Sequence, residues 1–431
     1  MKIKQLRWWI IALVCFGTIT NYLSRNSLAV LAPTLMTQMR FSTQEYSYVV
    51  GAFQLAYTVM QPVCGYVLDF FGTRAGFALF ALLWSLTSCL HGLATGWLSL
   101  AFFRGGLGLT EAAAIPAGVK AISEWFPASE RSVAMGFFNI GTSLGAMLAP
   151  PLVVFVQLRY NWRVAFLVTG GLGFVFAAAW WLFYRSPSQH ALLSEPERAH
   201  ILSGQEPALP TAESGGRKPA VIEILRTRRY WGIAIPRFLA EPAWQTFNFW
   251  IPVYLTTERG MSLQDIAMLA WLPFVAADIG SMVGGFASPF FMKLFKMPVV
   301  SSRLAGIVLG ATCMIGPGCI GLTASAYGAI GLLCVGAFAH QVISCMINTL
   351  STDLFSSHEV ATANGLAGTA GWTGGLAFSL VVGALAHSVG FSALFACLSV
   401  FDIIAAIVAI VLLRDLGNIL ATPRQLTEPT R

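Results

Sequence analysis

The chain has 431 residues, 56% of them hydrophobic and 10% charged, with a net charge of +7 and a mean hydropathy of +0.70. Soluble domains carry about 25% charged and about 45–50% apolar residues. A soluble globular protein, a disordered chain and a secreted disulfide scaffold are excluded, and a protein embedded in lipid remains. The eight cysteines sit in apolar stretches without C-x-x-C spacing, which argues against a zinc site or a disulfide framework.

A membrane helix needs roughly 20 apolar residues. The pattern predicts twelve spans, near 8–35, 44–69, 75–95, 97–122, 131–157, 162–184, 230–256, 263–292, 302–323, 325–352, 359–387 and 391–413. Lys2, Lys4 and Arg7 precede the first apolar run as in a signal peptide, but the run continues to Ala32, too long for one. Residues 185–229 hold five prolines, Gly215-Gly216 and many charges, and read as a solvated linker. The expected organisation is a six-helix half over 1–184, a cytoplasmic linker over 185–229, a second six-helix half over 230–414 and a cytoplasmic tail over 415–431. With a cytoplasmic N-terminus, about nineteen Lys and Arg fall inside against four outside. The net charge is thus a topology signal, with some attraction to anionic lipid, and requires no nucleic-acid partner.

Ionisable groups deep in a span cost at least ~2.5–3.5 kcal/mol each, so they mark partners or function. In the first span, Tyr22 and Arg25 are three apart and share a helix face. A buried guanidinium with phenol and amide neighbours suits a carboxylate, whose two oxygens its planar fork matches; an acid on a neighbouring span would suit it too. In the fourth span, Arg104 and Glu111 lie two turns apart on one face, about 10 Å along the axis and too far to touch. Glu111 lies in apolar surroundings and is the candidate proton carrier; a static ion pair is the other reading.

In the seventh span, Arg237 and Glu241 stand at i and i+4 and could simply neutralise each other. Pro236 and Pro242 flank them and are expected to break the helix, and broken helices tend to line cavities. Trp244 and Asn248 share the Glu241 face and could stack on and bond a sugar-like ligand. Asp278 and Asp402 have no sequence partner and read equally as helix contacts or relay members. His340 reads as a packed neutral histidine.

Gly65-Tyr66-Val67-Leu68-Asp69-Phe70-Phe71-Gly72-Thr73-Arg74, on the turn after the second span, resembles the signature of the major facilitator superfamily. The resemblance implies an all-α fold of twelve helices in two six-helix halves that rock about a central site. It makes Asp69 and Arg74 gate residues that pair at helix ends and hold the cytoplasmic side shut. Asn21-Tyr22-Leu23-x-Arg25, Arg104…Glu111 and Trp125-Phe126-Pro127-x-x-Glu130-Arg131 resemble the anion:cation symporter branch. Gln61-Pro62-Val63, the run from Phe238 to Trp244 and the run from Val360 to Leu366 look like its hexuronate transporters, which carry galacturonate and glucuronate. The resemblance implies that Tyr22, Arg25 and Tyr57 contact the anion and that Arg104 and Glu111 take part in coupling. It also puts Asn139, Thr142 and Trp372 near the site. Many branch members place an Asp before the first-span Arg as a second proton site; here that residue is Ser24. Glu111 then carries the proton alone, or Glu241 or Asp278 supplies the second group.

The expected activity is proton-coupled uptake of a sugar-acid anion across the inner membrane by a monomer that uses no cofactor and no metal. Aldonates, aldarates and other organic anions are rival cargoes, and a transporter-like sensor is a remote rival. An enzyme is disfavoured, because H-E-x-x-H is missing from the sequence, and G-x-x-x-x-G-K-[ST] is missing for an ATP-driven pump.

Overall fold

The computed structural model of the protein describes residues 2–204, 221–261, 269 and 271–421. Before the linker come α1 Leu6–Met39, α2 Thr43–Phe71, α3 Thr73–Leu90, α4 Trp97–Glu111, α5 Ala114–Trp125, α6 Arg131–Arg159 and α7 Trp162–Phe183. The linker holds α8 Glu195–Ser203 and α9 Val221–Leu225. After it come α10 Arg228–Phe249, α11 Ile251–Thr257, α12 Leu272–Phe295, α13 Val299–Cys313, α14 Ala326–Leu354, α15 Val360–Val389 and α16 Phe391–Ala421. Among the described residues β pairing is limited to one isolated bridge, Ile3 with Leu193. Helices satisfy their backbone groups internally, as hydrocarbon surroundings demand.

Among the described residues, ten helical segments are long and apolar enough to cross a membrane. The expected second and seventh spans fall short on composition, although α2 has 29 residues and α10 has 22. Each carries several ionisable or amide groups that face other helices rather than lipid, among them Gln61 and Asp69 on α2 and Glu241 and Gln245 on α10, all buried. The start of the expected eighth span, 263–268, lies outside the described residues.

Local chemistry sets the helix ends. Ser42 and Glu45 form a reciprocal capping box at the start of α2. Asn161 caps α7 through the Val164 amide, 3.0 Å away. The fourth span is broken between α4 and α5, directly after Glu111. Pro116 has no amide to offer the Ala112 carbonyl, so the α-helical ladder fails there. In the seventh span the expectation is corrected: α10 runs unbroken through Pro236 and Pro242, and the interruption comes at Trp250, before Pro252. Pro242 leaves the Phe238 carbonyl unbonded, and Gly374 of α15 packs so closely over that oxygen that a Cβ would not fit.

Two seams join the helices before the linker to those after it: α2 against α15, and α6 against α12. Gly65 rides on the Ala361 carbonyl and Gly365 on the Gln61 carbonyl, an approach only glycine permits. The first seam runs from Tyr57 with Trp372 at mid-helix to Asp69 with Thr362 at the end where the linker lies. The bundle is therefore shut at its linker end.

The linker is less solvated than its composition suggests. Leu193 and Ile201 are fully buried, and the Glu197 carboxylate accepts from the Leu6 and Arg7 amides at 3.1 and 3.2 Å. It caps α1 from outside, the charge sign that a helix N-terminus favours. Residues 205–220 and the tail from 422 lie outside the described residues.

Candidate functional site

The first span places Arg25 at the centre of a polar cluster. Its Nε donates to Glu111 Oε2 at 3.0 Å, and its guanidinium sits 4.5 Å from the Tyr22 ring centre and 4.7 Å from that of Tyr57. Cation–π contacts of this kind hold a guanidinium in place while leaving donors free. Arg104 donates to the Arg25 carbonyl oxygen at 2.6 Å and lies 4.7 Å over Phe53. Arg104 and Glu111 thus both serve Arg25 without pairing with each other, as their spacing predicts.

Glu111 is fully buried at the α4–α5 break. Among the described residues its Oε1 has no partner, and neither do Asn21 Nδ2, Ser24 Oγ, or Arg104 Nε and Nη1. A buried polar group left unpaired costs about 1–3 kcal/mol, so a concentration of them suits a polar guest. Arg25, Arg104 and Glu111 together carry one spare positive charge.

The helices after the linker supply the opposing wall. Trp372 of α15 packs on Tyr57 with ring centres 4.9 Å apart. Arg237 and Glu241 form their i,i+4 pair at 3.4 Å, and Arg237 also donates to Ser344 Oγ at 2.8 Å. The self-neutralising reading of that pair describes its geometry. Trp244 stacks on His340, ring centres 5.5 Å apart and 14° from parallel, so one face of its ring is occupied by protein. The Asn248 side chain lies outside the described residues.

Asn139 is buried and its carbonyl accepts from Thr142 Oγ1 at 2.7 Å. Both lie on α6, whose Gly145 abuts Tyr22, and Asn139 Nδ2 is buried and unpartnered among the described residues. Asp278 of α12 faces Ser143 of α6 across the second seam. Asp402 is fully buried on α16, with both carboxylate oxygens unpartnered among the described residues.

At the linker end the expected Asp69–Arg74 pair is absent and the expectation is corrected. Asp69 Oδ1 binds Lys120 Nζ at 2.7 Å, and Oδ2 accepts from the Thr362 amide and hydroxyl at 2.7 and 2.6 Å. Arg74 turns away and donates from Nε and Nη2 to the Trp181 carbonyl. It follows the left-handed Gly72 at the start of α3, which aims it at α7 rather than back at α2.

Sequence reasoning missed a second tie. Asp353 bridges Arg131 and Arg303, each at 3.0 Å, and Arg303 reaches back to Ser132 Oγ at 3.1 Å and the Ala128 carbonyl at 2.6 Å. Arg303 is fully buried. Its signal was a cation just inside an apolar run, as it was for Lys120.

The model of the Major Facilitator Superfamily matches residues 14–379. The chain is 52% identical over 407 residues, 94% of each protein, to a hexuronate transporter of Escherichia coli (strain K12). It is 50% identical over 346 residues to a galacturonate transporter of Dickeya chrysanthemi, covering 80% of this chain and 99% of that one. A crystal structure of a human organic anion transporter superposes with a TM-score of 0.71 at 15% identity, over 95% of this chain and 100% of that one, a likeness of fold.

Proposed function

The chain belongs to the Major Facilitator Superfamily, and on that premise we propose that it takes up hexuronates such as galacturonate and glucuronate together with protons. In this reading twelve spans form two six-helix halves, 1–184 and 230–414, that rock about the Arg25 cluster in the cytoplasmic membrane. The positive-inside bias puts the linker end and both termini in the cytoplasm. The shut linker end then corresponds to the state open to the outside.

The observation that carries the proposal is the Arg25–Glu111 contact at 3.0 Å inside an aromatic collar. With Glu111 ionised, its carboxylate occupies the fork that a substrate carboxylate needs. Protonation of Glu111 frees the Arg25 fork and raises the local charge from one to two. Proton and anion binding then favour each other reciprocally, by a coupling of typically about 1–3 kcal/mol. Because Ser24 adds no acid, Glu111 is the proton carrier on this side, with Glu241 or Asp278 as the only candidates among the predicted set for a second. Tyr22, Tyr57 and Trp372 form the walls; Arg237 and Trp244 approach the guest when the halves close. Asp69, held by Lys120 and docked on Thr362, is the gate residue.

Uptake of labelled galacturonate into proteoliposomes under an imposed pH gradient tests this. Glu111→Gln is expected to abolish accumulation while sparing exchange of galacturonate for galacturonate. Accumulation against a gradient by the Gln form refutes the assignment. Aldonate and aldarate competitors decide the cargo class; stronger competition by gluconate than by glucuronate overturns the hexuronate reading.

A further inference from the structure

Most buried arginines at the linker end have an acid: Arg7 has Glu130 and Glu197, Arg131 and Arg303 share Asp353, and Arg229 lies by Glu359. Arg74 and Arg185, both partly exposed, have none among the described residues. Both donate to the Trp181 carbonyl, Arg74 at 3.1 and 2.8 Å and Arg185 at 2.9 Å, and Arg185 Nη1 also reaches the Tyr184 and Leu182 carbonyls at 2.8 and 3.3 Å. The Arg74 guanidinium sits over the Trp181 ring, 4.3 Å from its centre. Sharing that acceptor holds the two cations side by side. A pair of like charges fixed side by side, with no acid among the described residues, suits a shared anion, which removes their repulsion and receives donors from both guanidiniums.

The surroundings identify the anion. The pair stands on the outer flank of α3 and α7, at the membrane-crossing ends nearest the linker. Around it Phe71, Trp181, Leu182 and Phe183 are exposed by 61, 49, 65 and 62%. Aromatic rings at this level are at home in the headgroup layer, and arginines there attract acidic lipid. The geometry points to a binding site for the phosphodiester of an anionic phospholipid, held by Arg74 and Arg185 with its chains on the apolar flank of α3 and α7. The lipid clamps two helices on the same side of the linker, so it stabilises that side without bridging the gate. The site stands on the membrane location alone, and the uptake proposal above can fail without it.

The test uses the purified full chain in detergent and native mass spectrometry, with phosphatidylglycerol added against phosphatidylcholine. Two cationic side chains favour the anionic lipid by about thirtyfold at low salt. Wild type is expected to retain phosphatidylglycerol preferentially, Arg74→Gln and Arg185→Gln to lose part of that preference, and the double variant to lose all of it. Arg159→Gln, an exposed arginine at the far end of α6, is the charge control and keeps the preference. An unchanged preference in the double variant overturns the site, and so does an equal loss in Arg159→Gln. Displacement of the lipid by millimolar inorganic phosphate reassigns the pair to a free anion and also overturns it.

Discussion

Thr362→Val isolates one bond that holds the linker end shut. Valine keeps the shape of threonine and the Thr362 amide keeps its 2.7 Å bond to Asp69, so the loss is the hydroxyl bond at 2.6 Å. Asp69 is buried and retains Lys120. A hydrogen bond to a charged group contributes about 1.5–3 kcal/mol. Thr362 and Asp69 belong to opposite sides of the seam, so the bond exists only while that seam is closed. Its removal therefore raises the open-to-closed ratio about 10- to 100-fold. Cys345 supplies the readout: it is fully buried on α14 where that helix meets α6, its thiol 3.7 Å from the Ser132 carbonyl. In a variant retaining Cys345 as its sole cysteine, alkylation by a permeant maleimide should quicken by that factor on adding Thr362→Val. A rate within twofold of the parent would refute the idea that this hydroxyl distinguishes the two states.

Other perturbations test the rest. Arg25→Lys keeps the charge but loses the fork and much of the contact with Tyr22 and Tyr57; losing one charge-assisted bond of about 1.5–3 kcal/mol should raise KM for galacturonate at least about tenfold in uptake assays. Gly365→Leu drives a side chain into the Gln61 carbonyl and should both abolish uptake and expose Cys345 to maleimide. His190 tests the linker's packing. Its Nδ1 accepts from the Leu192 amide at 3.3 Å and its Nε2 lies 3.1 Å from the Phe183 carbonyl, so the ring sits as a neutral tautomer. Burial, with the nearby arginines, holds its pKa below the ordinary value. The folded linker then binds fewer protons than the unfolded one, so its stability is present above about pH 6.5 and is lost as pH falls. Amide exchange over 186–204 should accelerate on acidification, and His190→Gln should flatten that response.

The membrane class was legible because composition is a bulk property: at 10% charged residues no arrangement in water buries enough. The Arg25 cluster was legible in part, because a cation in an apolar run has to be compensated somewhere. The Arg104–Glu111 spacing of two turns also carried its meaning unaided, since helix rise is fixed. The fourth span was expected unbroken over 97–122, yet it breaks after Glu111, while Pro236 and Pro242 announced breaks that did not occur. A neighbouring glycine covers the exposed carbonyl at Phe238, and the sequence of one helix cannot report what packs against it.

What the chain alone determined, then, is which residues are costly in oil and how they are spaced along one helix. Partnership across helices was decided only by the tertiary structure. Asp69 lies five residues from Arg74 yet binds Lys120 and Thr362, and Asp353 joins Arg131 to Arg303 from 222 and 50 positions away. Periodicity encodes the direction of a side chain about its own axis. The identity of the helix that meets it depends on how all the helices pack, and there a left-handed glycine or a missing Cβ weighs as much as a charge.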